Sequence, residues 1–359
     1  MPKSIVNYDA TVKELLQIAA RQEASDLHIS VGRPPTLRID GKLVPILDQP
    51  TLMPTDTEGL VMAVMKEIQK DILHKNGEVD FSFMLQDSTR FRVNIYKQSG
   101  FLSGAFRLIP AKIRTLEELQ LPPILHQFTK YTQGFFLVVG ASGQGKSTTL
   151  AALIDEINHT RTEHVITIED PIEYQFVQHR CIIDQREVHQ DTLSFASALR
   201  ASLREDPDVI MVGEMRDPET ISTAITAAET GHLVFATLHT NNAAQTIDRI
   251  IDTFPPGQQS QVRSQLALTI LGVLSERLIP RIEGGRLPAV ELMIANHAIR
   301  NLIREEKTFE LNLVIETNVD EGMISLNRSL AELVKRGEIS LEDAESYSLN
   351  VDELRMLIG

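Results

Sequence analysis

The sequence predicts an α/β protein in which helices cover a mostly parallel sheet and a smaller α+β domain comes first. From Phe135 onward, apolar runs of strand length alternate with helical patterns, which is typical of a parallel sheet with helices on both faces. Before Leu108, a single helical pattern is followed by short strand-like runs. Between these regions, Pro122 and Pro123 disfavour a continuous helix or a central strand. The chain of 359 residues therefore divides into two predicted domains.

The first domain is predicted over residues 1–108. Apolar side chains recur at helical spacing over residues 10–22. The strand-like runs that follow are DLHISV, PTLRIDGKLVPI with an Asp-Gly turn, EVDFSF, TRFRVNIY and SGAFRLIP. Residues 109–123 contain three prolines and are predicted to form the linker.

The second domain is predicted over residues 124–359. Its buried strands are expected in FFLVVG, HVITIED, DVIMVGE and HLVFATLHT, which lie in this order and alternate with helical segments. After Pro255 and Pro256 the chain is expected to be mainly helical to its end.

Composition narrows the classes of function. There are 49 acidic and 35 basic residues and the net charge is −14, which argues against a broad nucleic-acid-binding surface. Cys181 is the sole cysteine, which excludes an intrachain disulfide and a multi-cysteine zinc site. The sequence has neither a signal-peptide pattern at its start nor an apolar run of about 18 residues, so a cytosolic protein is expected.

A phosphate-binding motif stands between the first apolar run of the second domain and the helical pattern after it. GASGQGKS, from Gly140 to Ser147, matches G-x-x-x-x-G-K-[ST]. In such a loop the backbone N–H groups turn toward phosphate oxygens, the lysine reaches the outer phosphates and the serine hydroxyl binds Mg²⁺. ATP and Mg²⁺ are therefore the expected ligands. The predicted nucleotide contacts are Gly140, Ser142, Gly143, Gln144, Gly145, Lys146, Ser147 and Thr148.

Polar side chains follow three of the other predicted strands, where the carboxyl ends of parallel strands meet at one edge of the sheet. Glu214 follows DVIMV and is the candidate that orients and polarises the attacking water. His239 follows HLVFATL and is a candidate sensor of the γ-phosphate. Candidate Mg²⁺ contacts come from the segment EDPIEY and are Glu169, Asp170 and Glu173. His232 lies seven residues before His239, roughly 23 Å away along a strand, so these two histidines cannot share a metal ion.

Arginines of the first domain are candidates for stabilising the charge that develops during phosphoryl transfer. Strand alternation in TRFRVNIY places Arg90 and Arg92 on one face, and Arg107 lies in the next strand. A solvated basic face on a half-buried sheet explains the same pattern, and both interpretations stay open. Three more arginines lie near DVIMVGE, and salt bridges to neighbouring acids explain them as well as a role at the nucleotide does: Arg200, Arg204 and Arg216.

Four stretches together resemble a known family. GASGQGKST, ITIEDPIEY, REDPDVIMVGEMRD and TAAETGHLVFATLHTNNAAQTIDRI are similar, in order and spacing, to the Walker A, Asp-box, Walker B and His-box motifs of the type II/type IV secretion ATPase superfamily. The similarity is closest to its type IV pilus retraction ATPases, whose C-terminal signature resembles AIRNLIREEK at residues 298–307. The resemblance implies a PAS-like N-terminal domain, a RecA-like ATPase domain and a homohexameric ring.

The resemblance also implies partners and residue roles. It implies docking on the pilus platform protein at the cytoplasmic face of the inner membrane, with only indirect action on the pilin fibre. The net acidity of the chain, and not the resemblance, argues against nucleic acid as a partner. Matched residue by residue, it places the catalytic glutamate at Glu214 and the His-box histidines at His232 and His239. The Asp-box acids fall on Glu169, Asp170 and Glu173, and the N-terminal arginines on Arg90, Arg92 and Arg107.

The expected function is that of a hexameric ATP-hydrolysing motor for pilus retraction. Three alternatives remain at this point: a paralogous motor of another secretion or pilus system, a nucleotide-dependent scaffold without turnover, and a nucleic-acid translocase. In AIRNLIREEK, Arg300 and Arg304 share one helix face, which helix packing and partner binding explain equally well.

Overall fold

The computed structural model describes residues 7–22, 24–39, 42–85, 89–109 and 112–359. The chain forms two compact units, which are Met1–Lys112 with Pro171–Gln175, and Ile113–Asp170 with Phe176–Gly359. Two predicted features fall outside the described residues: the Asp-Gly turn at residues 40–41 and Pro110 of the predicted linker.

The first unit is built around a six-stranded sheet with the order β3-β2-β1-β6-β5-β4, in which all paired strands are antiparallel. The strands are β1 (Asp26–Ile29), β2 (Thr36–Ile39), β3 (Lys42–Pro45), β4 (Glu78–Met84), β5 (Arg90–Gln98) and β6 (Phe101–Ile109). The helices are α1 (Tyr8–Arg21), α2 (Pro54–Ala63) and α3 (Glu67–Asn76). The sequence predicted α1 and these strands, but not α2 and α3.

Alternation along β5 decides which side chains enter the core of this unit. Phe91, Val93 and Ile95 are fully buried, and the residues between them are half-exposed. The buried side chains pack in one apolar cluster with those of α1, whose first turn is capped when Asn7 accepts a hydrogen bond from the backbone N–H of Ala10. The arginine face of β5 is thereby directed away from this core.

The second unit contains a seven-stranded sheet with the order β13-β12-β7-β11-β10-β8-β9. All neighbours in it are parallel except β12 and β13. The strands are β7 (Gly134–Val139), β8 (His164–Glu169), β9 (Ile182–Glu187), β10 (Val209–Val212), β11 (Leu233–Leu238), β12 (Ile270–Pro280) and β13 (Arg286–Ile294). β7, β10 and β11 are buried along their whole lengths, as expected for strands covered on both faces.

Ten helices of the described residues belong to this unit. They are α4 (Lys146–Thr160), α5 (Phe195–Ser202), α6 (Pro218–Glu229), α7 (Ala243–Asp252), α8 (Pro256–Thr269), α9 (His297–Arg304), α10 (Leu311–Thr317), α11 (Leu326–Lys335), α12 (Leu341–Tyr347) and α13 (Val351–Ile358). Short 3-10 helices span Pro123–Lys130, Thr308–Glu310 and Val319–Glu321. Within the part of the chain that the structure describes, no helix is both long and apolar enough to cross a membrane.

The prediction of a mainly helical chain after Pro256 was wrong for residues 270–294, which form β12 and β13. Leu, Glu and Arg are common in both segments and favour helix locally, but pairing with β7 overrides this preference. Gly272 permits a close approach, because a Cβ atom there would lie 2.7 Å from the carbonyl oxygen of Met293. Gly284 and Gly285, both with positive φ, form the turn between the two strands. This Gly-Gly pair is the feature of the sequence that could have indicated a β-hairpin here.

Candidate functional site

The phosphate-binding loop leaves the carboxyl end of β7 and opens α4. Gly140 has φ +146, and a Cβ atom there would lie 2.6 Å from the carbonyl oxygen of Glu276 on the neighbouring strand. Gly145 has φ +104 and occupies the N-cap position of α4. Because a glycine cap has no side chain to accept the first N–H groups of the helix, these groups remain for an anion. The two glycines therefore serve the close packing and the turn that a phosphate site requires.

Lys146 lies at the centre of this loop and is only 8% exposed. Its ammonium group donates hydrogen bonds to the carbonyl oxygens of Gly140 at 2.8 Å and Ala141 at 2.9 Å. The ammonium nitrogen also lies 3.5 Å from Nδ1 of His239. The lysine is thus held across the loop with its charge at the edge of the sheet.

The sheet order explains why Lys146, His239 and Glu214 meet. Their strands β7, β11 and β10 are consecutive neighbours, and adjacent strands lie about 4.8 Å apart. Nε2 of His239 lies 2.9 Å from Oε1 of Glu214. Arg216 donates two hydrogen bonds to the same carboxylate, from Nε at 2.5 Å and from a terminal nitrogen at 2.7 Å. The structure therefore brings together the predicted lysine, histidine and glutamate, and adds an arginine to them.

The predicted magnesium ligands are distributed differently. Glu169 ends β8, is 7% exposed, and accepts hydrogen bonds from Thr167 at 2.7 Å and Gln185 at 3.2 Å. Asp170 is the next residue and is exposed, whereas Glu173 belongs to the segment that groups with the first unit. Within the described ranges, no three His, Cys, Asp or Glu side chains form a group that could hold a metal ion.

Each predicted arginine of the first unit has a partner within that unit. Arg90 donates to the hydroxyl of Ser82 at 2.6 Å, and Nε of Arg107 donates to Asp26 at 2.9 Å. A terminal nitrogen of Arg92 lies 3.6 Å from Glu173.

Arg92 and Arg107 are directly opposite one another on β5 and β6, so the two arginines occupy paired positions of the sheet. Arg92 keeps 38% of its side chain exposed and Arg107 keeps 68%. Both therefore present part of their positive charge to the surface of this unit.

The other predicted loop residues are accessible or support the loop. Ser142 and Gly143 are exposed, and Ser147 and Thr148 are half-buried in the first turn of α4. The side-chain oxygen of Gln144 accepts a hydrogen bond from the backbone N–H of Leu278 on β12, at 2.6 Å. Gln144 therefore attaches the loop to the strand beside it.

A cavity of about 170 Å³ adjoins the loop, and we call it the P-loop cavity. Its lining includes Gln144, Gly145 and Thr148 of the motif, together with Thr149 and Glu276. Glu276 is 1% exposed, and one of its oxygens accepts a hydrogen bond from the Thr149 hydroxyl at 2.6 Å. Burial raises the pKa of Glu276 to about 7. Sequence reasoning missed this residue because it lies on β12, which was predicted as helix.

Two further predicted features lie away from the P-loop cavity. His232 precedes β11 and His239 follows it, so the two histidines occupy opposite ends of one strand. The Nδ1 atom of His232 lies 2.9 Å from the carbonyl oxygen of Ala227. Arg300 donates hydrogen bonds to the carbonyl oxygens of Ala267 at 2.7 Å and Leu268 at 2.6 Å, at the end of α8. For Arg300 this favours the helix-packing interpretation of AIRNLIREEK.

Comparisons with known proteins agree with this architecture. Residues 5–284 match the family described as type II/IV secretion system protein. The type IV pilus retractation ATPase PilT of Pseudomonas aeruginosa is 47% identical over 93% of this chain and 96% of its own length. A twitching motility protein of Neisseria gonorrhoeae is 47% identical over 89% of this chain and 86% of its own length.

A solved structure extends the similarity to three dimensions. A crystal structure of the pilus retraction motor PilT with bound ADP matches this chain with a TM-score of 0.89 and 49% identity, covering 96% of this chain and 98% of that one. The α/β fold class and the superfamily predicted from the sequence are thereby confirmed. The chain belongs to the type II/IV secretion system protein family, and it is similar to PilT over nearly its whole length.

Proposed function

We propose that this protein hydrolyses ATP to power the retraction of type IV pili. The observation that carries the proposal is the convergence of Lys146, His239 and Glu214 at the carboxyl ends of three adjacent strands. The name of the Pseudomonas aeruginosa relative, a type IV pilus retractation ATPase, supports the pilus and its retraction, and the Neisseria gonorrhoeae relative is named a twitching motility protein. The ADP in the similar crystal structure supports a nucleotide as the ligand of the loop.

The chemistry assigned to this site is in-line attack of water on the γ-phosphoryl group, with ADP and phosphate as products. The backbone N–H groups of the loop and the ammonium group of Lys146 bind the phosphates. Glu214 orients and polarises the attacking water through its carboxylate. His239 lies between Lys146 and Glu214, where it can respond to the presence of the γ-phosphate.

The hydroxyl of Ser147 and the carboxylates of the EDPIEY segment are oxygen donors of the kind that Mg²⁺ takes, since it is a hard cation that binds oxygens and keeps several waters. When bound with ATP, Mg²⁺ neutralises the charge that develops on the phosphate oxygens. Ser147 is the proposed direct ligand, and Glu169, Asp170 and Glu173 are proposed to contact its bound waters. The P-loop cavity is proposed to receive the nucleoside.

The remaining assignments concern the domains and the assembly. We propose a PAS-like domain over residues 1–108, a linker over 109–123 and a RecA-like ATPase domain over 124–359. Six copies are proposed to form a ring that docks on the pilus platform protein at the cytoplasmic face of the inner membrane. In this ring Arg90, Arg92 and Arg107 are proposed to supply positive charge to a nucleotide, which couples domain motion to hydrolysis.

Steady-state phosphate release tests the catalytic assignment. Glu214→Gln keeps the size of the side chain and removes the negative charge that polarises water, so turnover is expected to fall by about 100-fold or more. Glu283→Gln, on the exposed turn between β12 and β13, is the matched control and is expected to keep the wild-type rate. Equal rates in the wild type and Glu214→Gln would remove Glu214 from catalysis. Negligible release by the wild type, with ATP still bound, would instead support a nucleotide-dependent scaffold.

A further inference from the structure

A buried carboxylate lies directly behind the phosphate-binding loop. Glu276 is on β12, where the preceding residue Ser275 pairs with Val139, the last residue of β7. Its main-chain oxygen packs against Gly140, and its Oε2 lies 3.3 Å from the position that a Cβ atom of Gly145 would take. Glu276 therefore packs directly against two glycines of the loop.

The two oxygens of this carboxylate have different surroundings. Oε1 accepts the hydrogen bond from Thr149, whereas Oε2 has no hydrogen-bond partner among the described residues and is inaccessible. Lys146 contributes an electrostatic attraction, but its ammonium group donates its hydrogen bonds to Gly140 and Ala141. Glu276 is therefore a buried acid that Lys146 does not neutralise by a direct contact.

Several charged groups either line the P-loop cavity together with Glu276 or, as Lys146 does, act on it by charge. They are Lys146 from α4, Arg114 and Glu118 from the segment before the 3-10 helix at residues 123–130, Arg281 after β12 and Arg286 at the start of β13. Arg281 is paired with Glu338 at 2.6 Å. Arg114 and Arg286 are exposed, so water screens their charge.

We propose that Glu276 positions the loop through Thr149 and takes up a proton when the polyphosphate of a nucleotide binds to the loop. The inference rests on the nucleotide binding proposed above. Phosphates held by the loop N–H groups would lie on the other side of Gly145 from Glu276, and two negative charges so close in a buried site repel each other strongly. Protonation of Glu276 removes this repulsion and leaves a neutral acid whose oxygen can still accept from Thr149.

Burial already brings the pKa of Glu276 to about 7 before any phosphate is present. Bound phosphate would raise this pKa further. By linkage, a group with a higher pKa in the complex takes up protons on binding, and ligand affinity falls as the pH rises above the pKa of the free protein. With a pKa of about 7 in the free protein, uptake is expected to be about half a proton at pH 7 and nearly a whole proton at pH 8.

Calorimetric titration of the full chain with ADP and Mg²⁺ measures this uptake. The binding enthalpy is determined in buffers of different ionisation enthalpy at pH 7 and pH 8, and its dependence on the buffer gives the number of protons. Wild type is expected to show the uptake given above and an affinity that falls by about tenfold per pH unit above pH 7. Glu276→Gln, which keeps the acceptor for Thr149, is expected to lose both effects. Subtracting the proton uptake of Glu276→Gln from that of the wild type removes the contribution of protons that ADP itself takes up or releases.

Glu291→Gln is the matched control. Glu291 is another buried carboxylate, on β13, and burial also raises its pKa, but it accepts a hydrogen bond from the backbone N–H of Ala243 and does not line the P-loop cavity. This variant is expected to keep the wild-type proton uptake. Equal uptake in wild type and Glu276→Gln would overturn the proposal, and so would loss of uptake in Glu291→Gln alone.

A measurement on the wild type alone covers the case in which Glu276→Gln does not fold. The infrared difference spectrum on adding ADP at pH 8 is expected to gain the carbonyl band of a protonated carboxyl group, and its absence would overturn the proposal. Failure of the wild type to bind ADP is a different result. It would refute the proposed nucleotide-binding function itself.

Discussion

The raised pKa of Glu276 predicts that this residue makes the folded protein less stable as the pH rises. The folded state holds the proton up to about pH 7, whereas the unfolded chain releases it near 4.5. Between these values the folded state binds more protons, so the free energy of unfolding decreases as the pH increases through this window. Above pH 7 the loss is complete, and below 4.5 it is absent.

The size of the effect follows from the same pKa difference. A shift from 4.5 to about 7 corresponds, at about 1.4 kcal/mol per pKa unit, to about 3 kcal/mol in total. Of this, about 2.5 kcal/mol is lost between pH 5 and pH 8, because a small part of the window lies below pH 5. Glu276→Gln cannot ionise, so it is expected to gain about 2.5 kcal/mol relative to wild type over this interval.

Urea denaturation at pH 5 and pH 8, followed by circular dichroism, measures the difference between the two proteins. Any constant cost of fitting glutamine beside Thr149 cancels when the two pH values are compared. Glu283→Gln, at an exposed position, is expected to follow the wild type at both pH values. If the difference between Glu276→Gln and wild type is the same at pH 5 and pH 8, the buried acid does not titrate in this range and the reasoning fails.

Four further substitutions test other parts of the structure. Lys146→Ala removes the charge that reaches the outer phosphates, so ATP affinity in an equilibrium binding assay should fall by about 10- to 100-fold; unchanged affinity would contradict the assignment. Arg92→Ala or Arg107→Ala should retain ATP binding but lower turnover by on the order of 10³-fold, with the exposed Lys97→Ala of β5 as control; weaker binding at unchanged turnover per bound ATP would speak against both. Arg300→Ala removes hydrogen bonds to the end of α8 and should lower the free energy of unfolding by about 2 kcal/mol, whereas an equal loss in the exposed Arg304→Ala would refute this specific role.

The parts of the fold that were predicted correctly are those that local pattern determines. β7, β8, β10 and β11 are continuous apolar runs bounded by polar residues, and burial on both faces leaves few other arrangements for them. β12 was missed because an 11-residue segment rich in Leu, with Glu276 and Arg277 at its centre, has no local preference for strand. Its conformation depends on hydrogen bonds to β7, which are more than 100 residues away in sequence.

The residues of the site also fall into those whose placement local pattern predicts and those whose placement depends on the fold. Lys146, Glu214 and His239 were predictable because each follows a recognisable strand, and parallel strands present their carboxyl ends at one edge. The burial of Glu276 was not predictable, because it depends on residues that are distant in sequence and that exclude water from the carboxylate only in the folded protein. The N-terminal arginines lie between these cases. Alternation fixed their face on β5, but Arg90, Arg92 and Arg107 all have partners within their own unit, so their action on a nucleotide remains a prediction.

Glu214 is held by neighbouring side chains, yet its proposed role requires that the same carboxylate be accessible to water. His239 and Arg216 both hold it, and Arg216 does so through two hydrogen bonds. The side chain of Arg216 is 77% exposed but that of Glu214 is only 19% exposed, so water does not solvate both partners of this two-bond pair equally well. Release of one of the two arginine hydrogen bonds would give an attacking water access to the carboxylate, while the contact with His239 could keep it oriented. The proposed role of Glu214 as acceptor of a hydrogen bond from the attacking water therefore requires an exchange of one arginine hydrogen bond for a water, which needs no rearrangement of the strands.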